Sequence, residues 1–565
     1  MRTRRPVKPV PLSSATALGF LLKSHYLADE FPSVITTTNF ADYCVANHAS
    51  LPSVDTLLNR TTLYGTFSMP RTASTRRVLA LPHPTSQLAL SRIIADHRAE
   101  IGKTIGSSLI TLYDTKPDAH KSRAFLGIDF NTRPGKKVTI LSRHPVILQA
   151  DIANFFHTIY THSIPWGVLG KQHVKDIREG KDKKAKSDLE KHWASLLDVA
   201  IQRGNSRETF GIPVGPDTSR IVAELLLAGV HKSEPFAQMI DGHGAYRIVD
   251  DFFIGFEDET AARRCLDELR RALWEFNLHL NEDKTQIIRS TFIVDSGWKF
   301  DMDNFQLSNK SDSEQRSGVE RLLQIALGNC ETSSSWLPIV FFCHRLLALK
   351  IFPSNLPFIR DCMLRIGRDF TTCLKLVAEF MIHYRADLRD TESRAIIEEW
   401  ARHILSVHAR RGHDYEVALI LVICGILGFS VSQSFVSLDK PIGSPVVLAM
   451  LGLLSADGLL AESWDEWREP FPGSGTFSNS NGRYWLPYYE AVLRRWTKQT
   501  SIAKGIREDP LFVQLLKAKV TFLDDADFLS KTELPPPPRR IRSLRRTIVR
   551  APIRALRTRV TLSYE

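Results

Sequence analysis

Three aspartates stand where this chain could gather charge for chemistry. Asp151 follows the apolar run 146–148, and Asp250 and Asp251 sit between Ile248-Val249 and the apolar run 252–254. A strand ending in one aspartate, beside a hairpin presenting two more at its turn, surrounds a volume that suits two divalent cations. Two magnesium ions about 3.5 to 4 Å apart activate a hydroxyl and stabilise the leaving pyrophosphate of an in-line displacement, and manganese is an expected substitute. Asp151 and Asp250 are the expected principal ligands, with Asp251 assisting. A double aspartate alone is a weak sign, since Asp524 and Asp525 repeat it without flanking strands. Order strengthens it: Asp151 is followed by the glycine-rich stretch 211–224, then by the aspartate hairpin, then by 278–285. In the last of these, Lys284 continues the alternation begun by Leu278 and Leu280. It can therefore face the carboxylates and protonate pyrophosphate as a general acid.

The elements that must position these residues divide the 565 residues into four zones. Residues 1–70 mix short apolar segments with Ser, Thr and Pro. Residues 71–305 alternate short β-rich runs with helical stretches, an α+β pattern. Within them, 220–227 reads as a buried helix, and Ala262, Cys265, Leu269, Leu273 and Phe276 form an apolar stripe that should pack under a sheet. The mixed-charge stretch 171–191 reads as a solvated helix face. Residues 311–531 lose the strands and predict an all-α domain, helical-repeat-like in its succession of apolar helices. A Ser/Gly/Asn-rich loop at 470–482 interrupts it. Residues 535–565 form a Pro/Arg-rich basic tail with nine arginines.

The length predicts two or three domains, and 43% hydrophobic with 24% charged residues excludes a mostly disordered, collagenous or coiled-coil chain. The longest apolar run, 13 residues at 417–429, is short of the roughly 20 that cross a bilayer and predicts a buried helix. The basic N-terminus leads into no apolar signal segment, which predicts a cytoplasmic protein with no membrane partner. Seven scattered cysteines without a C-x-x-C pair suit neither a disulfide framework nor a zinc site. The net charge of +12 favours a polyanionic partner such as nucleic acid or nucleotides. Arg402 and His408 fit a loose R-x5-H ribonuclease pattern, which arises easily among 18 histidines.

Over roughly residues 60–305 the ordered elements resemble the palm motifs of reverse transcriptases: 151–156 the first, 211–224 the second, 248–251 the third and 278–285 the fourth. The wording of 150–166 and 211–224 is closest to the bacterial abortive-infection and unknown-group reverse transcriptases, which are phage-defence proteins. The resemblance implies a reverse-transcriptase-like palm and fingers followed by a helical C-terminal domain. It also implies a magnesium set of Asp151, Ile152, Asp250 and Asp251. Phe156 would stand where a bulky side chain excludes a 2′-hydroxyl, its alternative being a core aromatic, as Phe155 is expected to be. Gly215 joins the dNTP-binding set. Arg71, Arg76 and Arg77, ahead of the β-like run 78–81, match a fingers strand whose cations clamp the incoming triphosphate. Two positions depart from the family pattern. Ile248 replaces the aromatic that opens the third motif, and Val214 replaces the glutamine of the second. The defence relatives share the second change and polymerise DNA without a template on a protein primer. That behaviour would make Tyr26, Tyr43, Tyr64 and Tyr564 priming candidates, leave the DNA product covalently attached, and suggest a homo-oligomer. The competing expectations are a templated RNA-directed DNA polymerase and a nucleic-acid-binding scaffold whose site is dead.

Overall fold

The computed structural model describes residues 12–23, 25–72, 74–117, 123–125, 127–128, 132–240, 244–290, 298–333, 335–432, 443–468 and 482–524. The basic tail with Tyr564, and nearly all of the 470–482 loop, lie outside these. The strands are β1 (Gly65–Pro70), β2 (Arg76–Leu81), β3 (Tyr113–Asp114), β4 (Gly127–Ile128), β5 (Val146–Asp151), β6 (Ala245–Ile248), β7 (Asp251–Phe256) and β8 (Gln286–Arg289). Two compact units share them. The first gathers the described residues of Met1–Ala28, Thr37–Tyr64 and Pro82–Thr291. The second gathers those of Asp29–Thr36, Gly65–Leu81 and Phe292–Glu565.

The first unit is built on a four-stranded antiparallel sheet in the order β6-β7-β5-β8. Its central strands are apolar, Ile147, Leu148, Phe252 and Ile254 being at most 2% exposed. The helix Glu259–Glu275 lies against β5, β7 and β8 and buries Ala262, Cys265, Leu269 and Leu273, the stripe its 3.6-residue period lays down. The helix Asp217–Val230 is buried along almost its whole length and crosses the helix Ser163–Leu169. They meet at Gly229 and Gly167, where a Cβ added to Gly229 would stand 2.4 Å from the Gly167 Cα, so only glycine permits this approach. The helices Lys171–Glu179 and Lys183–Lys191 bury only Val174 and Leu189, as a solvated charged face should. The poorly patterned N-terminal zone contributes the helices Ser14–Lys23 and Thr38–Ala46, which pack on each other.

The second unit is a run of helices in which many sequence neighbours pack together, among them Asp312–Ser333 on Leu337–Ala348 and Thr391–Ala409 on Asp414–Leu427. The apolar run 417–429 falls on Asp414–Leu427, every residue of which is buried. Fourteen residues rise about 21 Å, too little for a bilayer, and among the described residues no helix is long and apolar enough to cross a membrane. Two segments join this unit from far upstream. The β1–β2 hairpin lays Phe67 against Tyr415, with ring centroids 6.1 Å apart, and 29–36 bonds to the end of the helical run through Thr36 N–H to the Phe522 carbonyl (2.8 Å). The division therefore differs from a single cut near 305. The hairpin's partners Tyr415, which meets Phe67, and Glu416, which binds Arg76, lie more than 300 positions away, which no local pattern encodes. The described cysteines are free, and five of the seven are buried.

Candidate active site

Strand register brings the aspartates together. Asp151 closes β5 directly opposite Asp251, the first residue of β7, so both side chains project from one face of the sheet. On the other side of β7, Ile248 pairs with Asp251, which leaves Val249 and Asp250 as the two-residue turn of the β6–β7 hairpin. Beyond β5 the chain runs antiparallel to 279–281. Ala153 N–H donates to the His279 carbonyl (2.9 Å), Asn281 N–H donates to the Asp151 carbonyl (2.7 Å), and Ile152 pairs with Leu280 between them. Asp151 and Ala153 thus close this bridge without using the Ile152 carbonyl.

The same pairing delivers the fourth motif to the site. A short 3₁₀ turn, Glu282–Lys284, places the Lys284 Nζ 3.1 Å from Asp151 Oδ2, and Asn281 Nδ2 donates to the same oxygen at 3.2 Å. Asp151 is 7% exposed while Asp250 and Asp251 are half-buried, so the site is open on the hairpin side. Like charges directly opposite on a sheet repel. Two facing carboxylates and a third at the adjacent turn make a hard-oxygen donor set that fits magnesium or manganese, with the Lys284 ammonium a counter-charge beside it.

The second motif meets the first through its backbone. Ile212 N–H donates to the Phe156 carbonyl (2.8 Å) and Gly211 N–H to the Ile159 carbonyl (2.9 Å). Gly211 and Gly215 have φ of +82° and +121°, and a Cβ on Gly215 would crowd Ala28 at 3.1 Å. Phe155 is core at 2% exposed. Phe156 is half-buried, edge-on to Phe155 with centroids 5.5 Å apart.

The helix Asp217–Val230 then presents Asp217, Arg220 and Glu224 at helical spacing. Asp217 takes Arg220 on one oxygen (2.8 Å) and lies 3.4 Å from the His25 ring on the other, while Arg123 donates to His25 Nε2 (2.8 Å). Burial would push the Asp217 carboxyl up, but Arg220, His25 and Arg123 outweigh it and hold it below its ordinary range. Glu224 grips the fully buried Arg247 through both oxygens, at 3.0 and 2.6 Å. The sequence reading missed Arg123, Arg220, Glu224 and Arg247. The legible signal was the acidic and basic spacing within 217–224, and an arginine three residues before Asp250.

No family model and no curated protein matches this chain. Among solved structures it is similar to apo telomerase from Candida tropicalis (TM-score 0.32, 11% identity, covering 76% of this chain and 72% of that one). It is also similar to telomerase from Candida albicans in complex with a TWJ fragment of telomeric RNA (TM-score 0.29, 14% identity, 77% and 70%). These scores describe a loose likeness, and the site stands on its own register and side-chain pairs.

Two expected roles meet side chains already committed elsewhere. Arg76 donates to both oxygens of buried Glu416 (2.9 and 2.8 Å) and to Ser68, within the second unit, so its guanidinium does not serve as a free triphosphate clamp. The long-range partner, invisible in the sequence, is the reason. Arg71 is exposed beyond β1, and Arg77 faces the charge of Glu30. Tyr26 is fully buried with its hydroxyl donated to the Pro82 carbonyl (2.7 Å), which removes it as a priming phenol. Tyr43 and Tyr64 are half-buried. Of the R-x5-H residues, Arg402 binds Glu398 through its guanidinium (2.6 Å), and His408 has other partners. It joins His413 and Glu416 in a group whose spacing could hold a metal ion. Arg76 occupies both Glu416 oxygens, and the two ring Nδ1 atoms are 2.8 Å apart, a hydrogen-bonding distance. The group is therefore satisfied by protein contacts alone.

Proposed function

We propose that the first unit is a nucleotidyltransferase of the reverse-transcriptase type, which adds deoxynucleotides to a hydroxyl in a reaction assisted by two divalent cations. The observation that carries this reading is the register of Asp151 against Asp251 with Lys284 reaching Asp151, because it converges the first, third and fourth motifs at one end of the two central strands. The hydroxyl oxygen forms a bond to the α-phosphorus of the triphosphate, and the bond from that phosphorus to the bridging oxygen breaks to release pyrophosphate. Asp151, Asp250 and Asp251, with the Ile152 carbonyl, would hold magnesium, which supplies charge neutralisation and activation of the hydroxyl. Lys284 would hand its proton to the departing pyrophosphate, a role supported by its reach to Asp151. Phe156 would supply the wall beside the sugar, with Gly215 in the loop that follows Ile212, whose N–H bonds the Phe156 carbonyl. Electrostatic positioning accounts for the chemistry, so an intact carboxylate set matters more than any one hydrogen bond.

The finer reading is a DNA polymerase that works without a template, primes on its own chain and serves antiphage defence. It is supported by the wording of 150–166 and 211–224, and by Val214, an apolar side chain where an amide would approach a template base. With Tyr26 buried, Tyr43, Tyr64 and Tyr564 remain as primers. Incubation with labelled deoxynucleotides and magnesium tests the core of this. Asp151→Ala and Asp250→Ala should each reduce incorporation by at least about a thousandfold with folding retained. Wild-type incorporation by either variant would overturn the assigned site. Product that follows an added template's sequence would instead establish templated synthesis.

A further inference from the structure

The turn that carries Asp250 is held by a device the sequence does not announce. Val249 sits at φ +50°. A β-branched residue in the left-handed region is strained, and it persists only where its surroundings over-determine it. Inside the first unit, the Arg247 guanidinium supplies that determination. Its Nη1 donates to the Val249 carbonyl at 2.5 Å and to Glu224 Oε1 at 3.0 Å; its Nη2 donates to Glu224 Oε2 at 2.6 Å; its Nε donates to His231 Nε2 at 3.3 Å. Arg247 is 0% exposed and Glu224 1%.

The surroundings are satisfied in turn. His231 accepts from Arg247 on Nε2 and meets the Ser108 hydroxyl on Nδ1, and burial together with Arg247 holds the ring neutral. Thr111 Oγ1 donates to Glu224 Oε2 at 2.8 Å. The Arg247 backbone is fixed as well: its N–H donates to the Ile110 carbonyl (2.7 Å) and its carbonyl accepts from Leu112 N–H (3.1 Å). A buried ion pair is a poor device for stability alone, because apolar side chains of similar size often serve as well. Only a planar fork can hold a carboxylate on one edge and still reach a backbone carbonyl two residues on.

We propose that Glu224 and Arg247 are positioning residues that clasp the Val249–Asp250 turn and so aim Asp250. The inference rests on Asp250 belonging to the proposed site. It links the second motif to the third, since Glu224 ends one and Arg247 precedes the other.

The test compares wild type with Arg247→Lys and with the double variant Glu224→Met, Arg247→Met, in the full-length protein. Hydrogen exchange over a peptide spanning 245–253 is read beside one spanning β5. In the double variant the turn peptide should exchange at least about tenfold faster while β5 is unchanged. Incorporation should fall about a hundredfold, the scale set by a misplacement near 1 Å, and the magnesium concentration for half-maximal rate should rise about tenfold. The melting temperature should stay close to wild type. Arg247→Lys, which keeps the charge without the fork, should show the same rise in magnesium requirement, and it decides the matter if the double variant does not fold. A folded double variant with wild-type exchange at the turn and an unchanged magnesium requirement overturns the clasp. If wild-type protein incorporates no nucleotide, the proposed function fails, and the exchange comparison still decides the clasp by itself.

Discussion

The carboxylates depend on neighbours of very different kinds. Asp151 is held by a lysine and an asparagine from a 3₁₀ turn, whereas Asp250 has its place set by a turn backbone. Phe156 is the residue whose role turns most simply on shape. It is half-buried while the adjacent Phe155 fills the core, so of the two rings only Phe156 has a face to offer a sugar. Phe156→Ala should therefore admit ribonucleotides, lowering the preference for deoxynucleotides by about tenfold or more, while deoxynucleotide use falls less. Competition between the two nucleotides in an incorporation assay measures this, and unchanged discrimination would make Phe156 a core residue. Phe156 was suggested by the resemblance of 151–156 to the first palm motif. Arg247 was not, because an arginine in a strand gives no sign that its partner lies 23 positions away in a helix.

Among the elements, the helix Asp217–Val230 organises the first unit. It carries Asp217 at its start, Arg220 and Glu224 on the following turns, and Gly229 near its end where it crosses Ser163–Leu169. A methyl group at Gly229 would press on the Gly167 Cα at 2.4 Å and the Gly167 carbonyl oxygen at 3.0 Å, and backbone cannot turn aside as a side chain can. Gly229→Ala should destabilise the protein by about 1 to 3 kcal/mol, measured as a fall in denaturation midpoint. A wild-type midpoint would mean that the helices separate at no cost. That this stretch forms a buried helix was plain from 220–227. The crossing was not, since a glycine inside a helical pattern signals a close approach without naming its partner.

At the scale of the whole molecule, the second unit carries a cluster with opposed responses to acid. Burial first, then His413, Arg411 and Arg76 against the attraction of Glu416, lowers His408 from its ordinary 6.5 to about 4. Burial first, then Glu416 against the Ser68 N–H and Arg76, raises Asp414 from 3.8 to about 6. His413 is lowered as well, by burial foremost. Between about pH 6.5 and 4 the unfolded chain takes up the His408 proton that the folded chain refuses, so acid destabilises. Between about pH 6 and 3.8 the folded chain takes up the Asp414 proton first, so acid stabilises and offsets much of that loss. Asp414→Asn keeps an acceptor for the Ser68 N–H but removes the offset. Its stability should fall more steeply than wild type from pH 6 to 4.5, by up to about 1.4 kcal/mol per pH unit. Denaturant midpoints across that range test this, and parallel curves for the two proteins would refute it.

The sequence by itself determined the aspartates, their order and the elements that carry them, because periodicity and turn chemistry act over a few residues. It also signalled, through the apolar run 417–429, the buried helix that spans Asp414–Leu427, whose length sets what it can do. Tertiary structure alone decided that Arg76 spends its charge on Glu416, 340 positions away, that the β1–β2 hairpin joins the helical unit, and that Tyr26 is sealed beneath Pro82. These outcomes depend on which apolar faces and which buried charges find each other once the chain collapses. A residue's type shows that it needs a partner; only packing assigns one.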